Sequence, residues 1–229
     1  MRIAGCVKTT LIDYPGRVAC TLFTQGCNFR CPWCHNPELL GAGNSEDLMP
    51  SEEVWRFLEE RAGFLEGVCI SGGEPTLQEA LPETTARLKE LGYLVKLDTN
   101  GSNPNVLETL IRYELVDYVA MDVKASPERY VEIADGHAAM CVSKSVDLLK
   151  GASLPYELRT TVVPGFHDEA HVAVIADWVA GASHFALQAF RPDITLDPAL
   201  GTRKPFGHAE LRAFAAIVEP QVKCFELRM

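Results

Sequence analysis

Short apolar segments alternate along the chain with longer segments whose apolar residues recur at helical spacing. The short segments are rich in Val, Ile, Leu and Phe and are bounded by Gly, Pro, Asn or Asp, which is typical of buried strands. This pattern predicts seven strands, over residues 17–23, 68–71, 94–99, 116–123, 156–163, 184–190 and 222–227.

Helix signals fall between the predicted strands. Ser51, followed by Glu52 and Glu53, predicts a capped helix start with acidic residues in the first turn. Pro82 opens a helix that stops at Gly92. Further helices are predicted from Pro104, over 142–150, through Val172, Ile175 and Val179, and over 208–217.

About six strand–helix units in succession predict an α/β fold, a partial (β/α)6 barrel in which a parallel sheet with right-handed crossovers carries outer helices. No Gly/Ser-rich or Pro-rich linker interrupts the series, so we expect a single domain over residues 1–229. Residues 40–49 and 191–205 are predicted to be loops, and the second is interpreted as a mobile cover over a site.

Polar or glycine-rich motifs follow six of the predicted strands at their carboxyl ends. In a parallel barrel or sheet these ends converge on one face, where sites are built. The motifs therefore predict one large site, made from the cysteine-containing loop 24–37 and from residues 71–75, 98–101, 122–124, 163–165 and 190–192.

Composition narrows the function classes. The chain has 229 residues, of which 47% are hydrophobic and 23% charged, as in ordinary soluble globular proteins. Its net charge of −10 gives no basic field, which disfavours nucleic-acid binding. No apolar run reaches the roughly 20 residues of a membrane-spanning helix. Without a signal-peptide pattern at the start, we expect the reduced environment of the cytoplasm.

Cys27, Cys31 and Cys34 stand at C-x3-C-x2-C spacing, which puts three thiolates on one tight loop. Cubane iron–sulfur clusters are normally held by four thiolates, so three would leave one iron open to a substrate or cofactor. Structural zinc is an alternative, but its only local fourth ligand, His35, adjoins Cys34 and is poorly placed to reach the same ion. Disulfides would need an oxidising compartment. The other five cysteines are interpreted as small buried hydrophobes.

Three motifs occur in order along the chain: Asp13-x-Pro15-Gly16-Arg17, Phe23-x-Gln25-Gly26-Cys27-x3-Cys31-x2-Cys34-His35-Asn36-Pro37 and Gly72-Gly73-Glu74-Pro75. With these motifs, the sequence is similar over nearly its whole length to radical S-adenosylmethionine (SAM) enzymes. Within these it resembles glycyl-radical-enzyme activases, especially activating proteins of anaerobic ribonucleoside-triphosphate reductase. The resemblance implies a partial barrel of the radical SAM type.

The resemblance implies a [4Fe-4S] cluster on Cys27, Cys31 and Cys34, whose open iron chelates the amino and carboxylate groups of SAM. One electron from the reduced cluster then gives methionine and a 5′-deoxyadenosyl radical. In the activases this radical removes a hydrogen atom from a backbone glycine of a partner enzyme.

The resemblance places Ser71, Gly72, Gly73 and Glu74 against the SAM amino group. A plain strand-to-helix turn would also explain the two glycines. Asp98 would hydrogen-bond SAM or help hold a monovalent cation beside it. The alternative for Asp98 is an Asx turn.

Asp122 and Lys124 have the spacing that puts two side chains on one face of a strand. They resemble the Asp-x-Lys of the activases, in which the lysine faces the SAM carboxylate, and the implied cation would also lie near Asp122. A surface pair is the alternative for these two residues. Arg159 would pair with a carboxylate at the site or form a structural salt bridge.

Trp33 and His35 flank Cys34, and the resemblance places this segment near the adenine of SAM. Simple packing of the loop would equally explain Trp33. Some activases carry a SAM-contacting histidine after the sixth strand, and here Arg191 occupies that position.

Cysteine-poor regions bear on electron supply. Residues 35–68 contain no cysteine, which predicts no ferredoxin-like insert. The C-terminal part has only Cys141 and Cys224, which predicts no auxiliary-cluster domain. Electrons are then expected from flavodoxin or ferredoxin, and the partner from the glycyl-radical enzymes, with neither nucleic acid nor membrane involved.

Anaerobic ribonucleotide reductase is the leading partner. The alternatives are activation of pyruvate formate-lyase or another glycyl-radical enzyme, a radical SAM enzyme acting on a small molecule, and a non-catalytic iron–sulfur or zinc module.

Overall fold

The computed structural model describes residues 1–41 and 48–229. Its strands are β1 (Ile3–Thr10), β2 (Ala19–Thr24), β3 (Gly67–Gly72), β4 (Leu94–Thr99), β5 (Tyr118–Asp122), β6 (Tyr156–Val162), β7 (Phe185–Ala189) and β8 (Phe225–Arg228). Its helices are α1 (Ser51–Arg61), α2 (Leu81–Glu90), α3 (Pro104–Arg112), α4 (Ala138–Gly151), α5 (Glu169–Val179) and α6 (His208–Val218). From β2 to α6 every strand is followed by a helix, as six βα units require.

Hydrogen-bonded strands follow chain order, from β1 to β8. The pairs β2–β3, β3–β4, β6–β7 and β7–β8 are parallel, whereas β1 runs antiparallel to β2. The predicted α/β class with a largely parallel sheet is therefore confirmed.

All seven predicted strands are present, but the sequence pattern missed β1. Only Ile3 and Thr10, its first and last residues, are buried. Gly5 interrupts its short apolar stretch, and Lys8, Thr9 and Thr10 follow it, so the pattern is weaker than in the other strands, as an edge strand that pairs on one side permits.

The starts of two helices bear on the predictions, and one of them differs. Ser51 is the first helical residue of α1, and Pro50 stands at the capping position without a side-chain hydrogen bond. The predicted Ser51 cap is therefore wrong. In α2 the proline does lie in the first turn, as predicted, because the ring of Pro82 suits the position whose N–H has no partner within the helix.

The predicted loops also differ in part. Residues 198–202 of the second form a 3₁₀ helix whose Leu200 is buried, and the backbone N–H of Asp197 donates to the carbonyl of Pro32 at 2.8 Å. This segment is tied to the cysteine loop. Most of the first predicted loop, residues 42–47, lies outside the described residues.

The described chain divides into two compact units. The first comprises Met1–Asn28, Glu38–Thr99 and Asn105–Val119, and the second comprises Phe29–Pro37, Asn100–Pro104 and Ala120–Met229. Each has its own buried apolar residues on its strands, such as Leu22 and Ile70 in the first and Leu158 and Phe185 in the second. A single domain stays a prediction. Within residues 1–41 and 48–229, no helix has the length and apolar character needed to cross a membrane.

Candidate active site

In the first unit, the carboxyl ends of β2 and β3 approach so closely that only glycine fits. A Cβ on Gly72 would collide with the backbone of Thr24, and a Cβ on Gly73 would collide with the carbonyl group of Gly26. Gly72 also has φ of +116°, which L side chains rarely adopt. The Gly73 N–H donates to the Thr24 carbonyl at 2.8 Å, and the Glu74 N–H donates to the Gly26 carbonyl at 2.8 Å. These bonds fix the glycine pair to the segment that leads into Cys27.

The carboxylate of Glu74 is completely buried. One of its oxygens accepts from the Thr76 N–H at 3.0 Å, from the Thr76 hydroxyl at 2.5 Å and from the Thr99 hydroxyl at 2.6 Å. A buried carboxylate is tolerated when such donors replace water. Glu74 therefore has a structural role, which the motif did not reveal: it caps the 3₁₀ helix Pro75–Leu77 and ties it to the end of β4.

Asp98 shares its face of β4 with Lys96, two residues earlier. The Lys96 ammonium forms an ion pair with one oxygen of Asp98, and the Ser71 hydroxyl donates to the other at 3.2 Å. The Lys96 side chain is only 3% exposed, against 18% for Asp98. The structure thus brings the predicted residues Ser71 and Asp98 together around a buried lysine that sequence reasoning missed.

The cysteine loop is shared between the units. Cys27, in the first, is half-buried, and its N–H donates to the Leu40 carbonyl at 3.4 Å. In the second unit, Cys31 is buried and Cys34 half-buried, and the Cys34 N–H donates to the Cys31 carbonyl at 3.0 Å. That turn puts the last two thiols on one short bend, and three thiols form the donor set that iron–sulfur clusters use. The chemistry of the three side chains and their spacing in the sequence therefore fit a cluster with one iron left open.

Asp122, Lys124 and Arg159 form a cluster of charges at the end of β5, and Arg159 belongs to the middle of β6. The Lys124 ammonium lies 3.0 Å from Asp122, and the Arg159 guanidinium contacts both oxygens of Asp122, at 3.0 and 3.2 Å. Burial acts to raise the pKa of Asp122, but Arg159 and then Lys124 outweigh it, so that the pKa is lowered. Burial likewise acts to lower the pKa of Lys124, but Asp122 and the neighbouring Cys31 raise it. Lys124 is therefore held as a cation close to the cysteine loop.

Two residues that sequence reasoning missed hold the backbone of Lys124. The Tyr130 hydroxyl accepts from its N–H at 3.0 Å. The His167 ring lies with Nε2 3.1 Å from its carbonyl oxygen, while Nδ1 accepts from the Val163 N–H at 3.0 Å. Both rings are buried, to 1% and 3% exposure. Burial lowers the pKa of His167 to about 4, so the neutral ring that this bonding pattern needs is the stable form. No motif marked Tyr130 or His167, since their partners are backbone atoms far away in sequence.

Trp33 packs into an aromatic group of the second unit. Its ring centroid lies 4.5 Å from that of Phe166 and 5.9 Å from that of His167, and the Arg129 guanidinium lies 3.9 Å from the Phe166 centroid. Packing thus accounts for the burial of Trp33. His35 is exposed and makes a hydrogen bond with the backbone of Arg191, whose side chain is also exposed.

Arg159 continues into a further series of ion pairs. It lies 3.7 Å from Glu157, which pairs with Arg228 at 2.7 Å, and Arg228 pairs with Glu226 at 2.6 Å. Glu157, Glu226 and His184 offer possible metal-ligand atoms within 4.8 Å of one another. The Arg228 guanidinium already lies against both carboxylates, so this cluster carries its own cation.

Comparisons with known proteins agree with this chemistry. Residues 21–177 match the model of the radical SAM superfamily. A Methanocaldococcus jannaschii protein provisionally named a glycyl-radical enzyme activating enzyme is 38% identical over 201 residues, covering 85% of this chain and 82% of the relative. The pyruvate formate-lyase-activating enzyme of Streptococcus mutans is 30% identical over 186 residues, covering 73% of this chain and 68% of the relative.

A solved structure shares the fold. It is a domain of pyruvate-formate lyase-activating enzyme from Bacteroides vulgatus, with a TM-score of 0.53 and 16% identity, covering 69% of this chain and 98% of that one. With the cysteine spacing, the glycine pair and the charged strand ends in place, the chain belongs to the radical SAM superfamily and, within it, to the glycyl-radical-enzyme activating enzymes.

Proposed function

We propose that this activase acts on anaerobic ribonucleoside-triphosphate reductase, where it generates a glycyl radical. The observation that carries this choice is the block from Asp13 to Pro37, whose motifs resemble activating proteins of that reductase. Asp13 is built into the fold, because its carboxylate accepts from the Thr21 hydroxyl on β2 at 2.6 Å.

Cys27, Cys31 and Cys34 hold the [4Fe-4S] cluster in this proposal. When bound, the cluster would supply the electron for reductive cleavage of SAM to methionine and a 5′-deoxyadenosyl radical. The chain's own contribution is to present the three thiolates and to place a cation, Lys124, near one of them. The raised pKa of Lys124, to which Cys31 contributes, supports this arrangement.

SAM is recognised at its charged ends. The Lys124 ammonium binds the SAM carboxylate, and Asp122 and Arg159 orient that ammonium. Two features support this assignment: the Lys124 side chain is 24% exposed, and its pKa is raised. Because it keeps access to solvent as well as its charge, Lys124 can exchange water for an anionic ligand.

The amino group of SAM is assigned to the segment from Ser71 to Glu74. The close contacts of Gly72 and Gly73 with the backbone of Thr24 and Gly26 support this assignment, because they fix the segment beside the residues that lead into Cys27. Since the Glu74 carboxylate is buried, its part here is to hold this segment in position. Asp98 contributes through its hydrogen bond with Ser71.

The adenine lies near Trp33 and His35 in the proposal, with Arg191 nearby. The hydrogen bond between the His35 ring and the Arg191 backbone supports treating these two residues as one feature. The electron donor is flavodoxin or ferredoxin, and the reaction takes place in the cytoplasm. The monovalent cation near Asp98 and Asp122 stays a prediction from the resemblance.

Electron paramagnetic resonance tests the partner assignment. The anaerobically reconstituted chain is incubated with reduced flavodoxin, SAM and the reductase, and a glycyl-radical doublet is expected on the reductase. The matched control is Cys31→Ala, which should give neither SAM cleavage nor a doublet. Cleavage of SAM by the unaltered chain without a doublet would contradict this choice of partner.

Pyruvate formate-lyase is the second candidate partner, favoured by the similarity to the Streptococcus mutans enzyme. Partner choice resides in surface residues, so the same assay needs parallel arms with each glycyl-radical protein. A doublet on the lyase alone would transfer the assignment to it.

A further inference from the structure

Lys96 is a buried cation that the proposed chemistry does not use. It lies within β4, and its side chain is 3% exposed. Its ammonium pairs with Asp98, lies 3.8 Å from the sulfur of Cys69 and 6.0 Å from the centroid of the Tyr118 ring. Burying an ammonium is unfavourable unless an anion accompanies it. Asp98 is the anion that makes this position tolerable.

Asp98 in turn has both oxygens engaged within the first unit. One takes the Lys96 ammonium, and the other accepts the Ser71 hydroxyl at 3.2 Å. A monovalent metal ion binds to oxygen atoms that carry negative charge and have room for it. The negative charge of the Asp98 carboxylate is already balanced by the Lys96 ammonium, a cation that belongs to the chain itself.

Asp122, the other carboxylate implicated in cation binding, is likewise compensated within the second unit. Lys124 lies 3.0 Å from it, and Arg159 contacts both of its oxygens. A further cation placed against Asp122 would be repelled by two positive side chains at contact distance. The residues present therefore do not fit a metal cation at either carboxylate.

We propose that Lys96 is the resident cation of this site, its ammonium balancing Asp98 where the resemblance implies a monovalent metal ion, so that SAM binding needs neither Na⁺ nor K⁺. The inference rests on the proposed function only in that SAM is the ligand. Lys96 acts through Asp98 and Ser71 and is thus a positioning residue, not a catalytic one.

A purely structural ion pair would look the same in the fold but would behave differently in solution. If Lys96 replaces a metal ion, removing its charge should create a place for one. Lys96→Met keeps an unbranched side chain, shorter by one atom, while deleting the ammonium. The variant is then expected to bind SAM weakly in a bulky organic cation and to recover affinity in Na⁺ or K⁺. A structural role alone gives no such rescue.

The experiment measures SAM affinity by calorimetry on the anaerobically reconstituted protein. Three chloride salts are used at the same ionic strength, about 0.1 M, with tetramethylammonium, Na⁺ or K⁺ as the cation, so that screening stays constant. The unaltered chain should show affinities that agree within about twofold. Lys96→Met should gain about tenfold in affinity when Na⁺ or K⁺ replaces tetramethylammonium. Lys96→Arg should behave like the unaltered chain.

Sodium-23 relaxation gives a readout that does not depend on turnover. Line broadening that increases on adding SAM is expected for Lys96→Met and not for the unaltered chain. Lys89→Met, which removes a lysine of a more exposed ion pair in the same unit, is the matched control and should follow the unaltered chain. If Lys96→Met does not fold, Lys96→Gln takes its place. If neither variant folds, the salt series on the unaltered chain tests by itself whether SAM binding needs Na⁺ or K⁺.

Two outcomes overturn the inference while leaving the proposed function intact. One is SAM binding by the unaltered chain that requires Na⁺ or K⁺, and the other is a folded Lys96→Met whose affinity is the same in all three salts. Absence of SAM binding by the unaltered chain in every salt would instead overturn the proposed function, and the inference with it.

Discussion

Each unit carries a lysine and an aspartate two residues apart, within a strand or at its end, but the two pairs have opposite order. In β4 the lysine comes first, as Lys96-x-Asp98, and in β5 the aspartate comes first, as Asp122-x-Lys124. Lys96 therefore lies within its strand, whereas Lys124 lies just beyond the strand end. Their side chains are 3% and 24% exposed, although the two aspartates are similarly exposed, at 18% and 22%.

The difference shows how position along a strand decides what a lysine can do. An ammonium inside the strand must be neutralised by another group of the protein, and Asp98 neutralises Lys96. An ammonium past the strand end can keep an internal partner and still meet a ligand. The second pair also has Arg159, so that Asp122 is not left uncompensated when Lys124 turns to a ligand. The same two residue types thus form a buried counterion pair in β4 and, in the proposed function, a ligand-binding pair at the end of β5.

The largest effect is expected from breaking the buried pair on one side. Asp98→Ala leaves the Lys96 ammonium buried without this partner and should lower the free energy of unfolding by about 3–5 kcal/mol. Lys96→Met combined with Asp98→Ala removes both charges and should recover most of that loss. Urea unfolding of the single and double variants measures the coupling between the two residues.

The corresponding cycle in the second unit sharpens the contrast. Lys124→Ala with Asp122→Asn should show weaker coupling in stability, since Arg159 stays beside residue 122. If both cycles gave the same coupling energy, the distinction between a buried pair and a strand-end pair would fail.

The next effect concerns binding. Lys124→Ala should weaken SAM affinity by about 10- to 100-fold, which is the loss of one charged hydrogen bond, and should leave unfolding nearly unchanged. Calorimetry with SAM on the reconstituted protein measures it, and Lys150→Ala, at an exposed position of α4 in the same unit, is the control. An unchanged affinity in Lys124→Ala would mean that Lys124 does not bind SAM and has only a structural role.

The fold could be predicted from the sequence as far as apolar runs marked the strands. Seven strands and the succession of βα units followed from hydrophobic pattern and from Pro and Gly positions. β1 was not found this way, because Gly5 interrupts its short apolar stretch and Lys8, Thr9 and Thr10 end it. The Ser51 cap failed for another reason: Ser51 and Pro50 are both common at helix starts, and only the backbone angles decide which of them stands at the cap.

In the site, as in the fold, the sequence revealed local patterns but not long-range contacts. Motifs named residues whose function depends on local spacing, such as the cysteines, the glycine pair and Asp122-x-Lys124. Lys96 escaped notice because a lysine in an apolar strand looks like an exposed exception, and only the fold shows it facing Asp98. His167 and Tyr130 escaped notice because they bind backbone atoms of Lys124, and long-range backbone contacts leave no trace in composition or spacing.

A pH effect is expected from His167, which supports the strand-end lysine. Its pKa is about 4 in the folded protein, below the ordinary value of 6.5. The stability gained by keeping this ring neutral is complete above pH 6.5 and is lost as the pH falls towards 4, because the unfolded chain takes up the proton first. The loss should be about 1.4 kcal/mol per pH unit in this window.

Urea unfolding under anaerobic conditions at pH 6.5 and 5.5 measures this loss, since both values lie within the window given by the two pKa values. His167→Gln keeps a polar side chain without a group that titrates here, so its stability should fall less steeply with pH than that of the unaltered chain. Equal slopes in the two proteins would mean that His167 does not bind its proton more weakly on folding.

The smallest effect comes from a third lysine–aspartate pair, which tests whether burial is the decisive variable. Lys89 and Asp117 lie 2.5 Å apart with side chains 31% and 26% exposed, and the second oxygen of Asp117 accepts from the Val95 N–H at 2.7 Å. Lys89→Met should cost only about 0.2–1 kcal/mol, because solvent screens the pair and the carboxylate keeps both water and a backbone donor. Urea unfolding beside Asp98→Ala makes the comparison direct. A loss for Lys89→Met as large as that for Asp98→Ala would show that short ion pairs in this fold are strong wherever they lie, and that the depth of Lys96 does not set it apart.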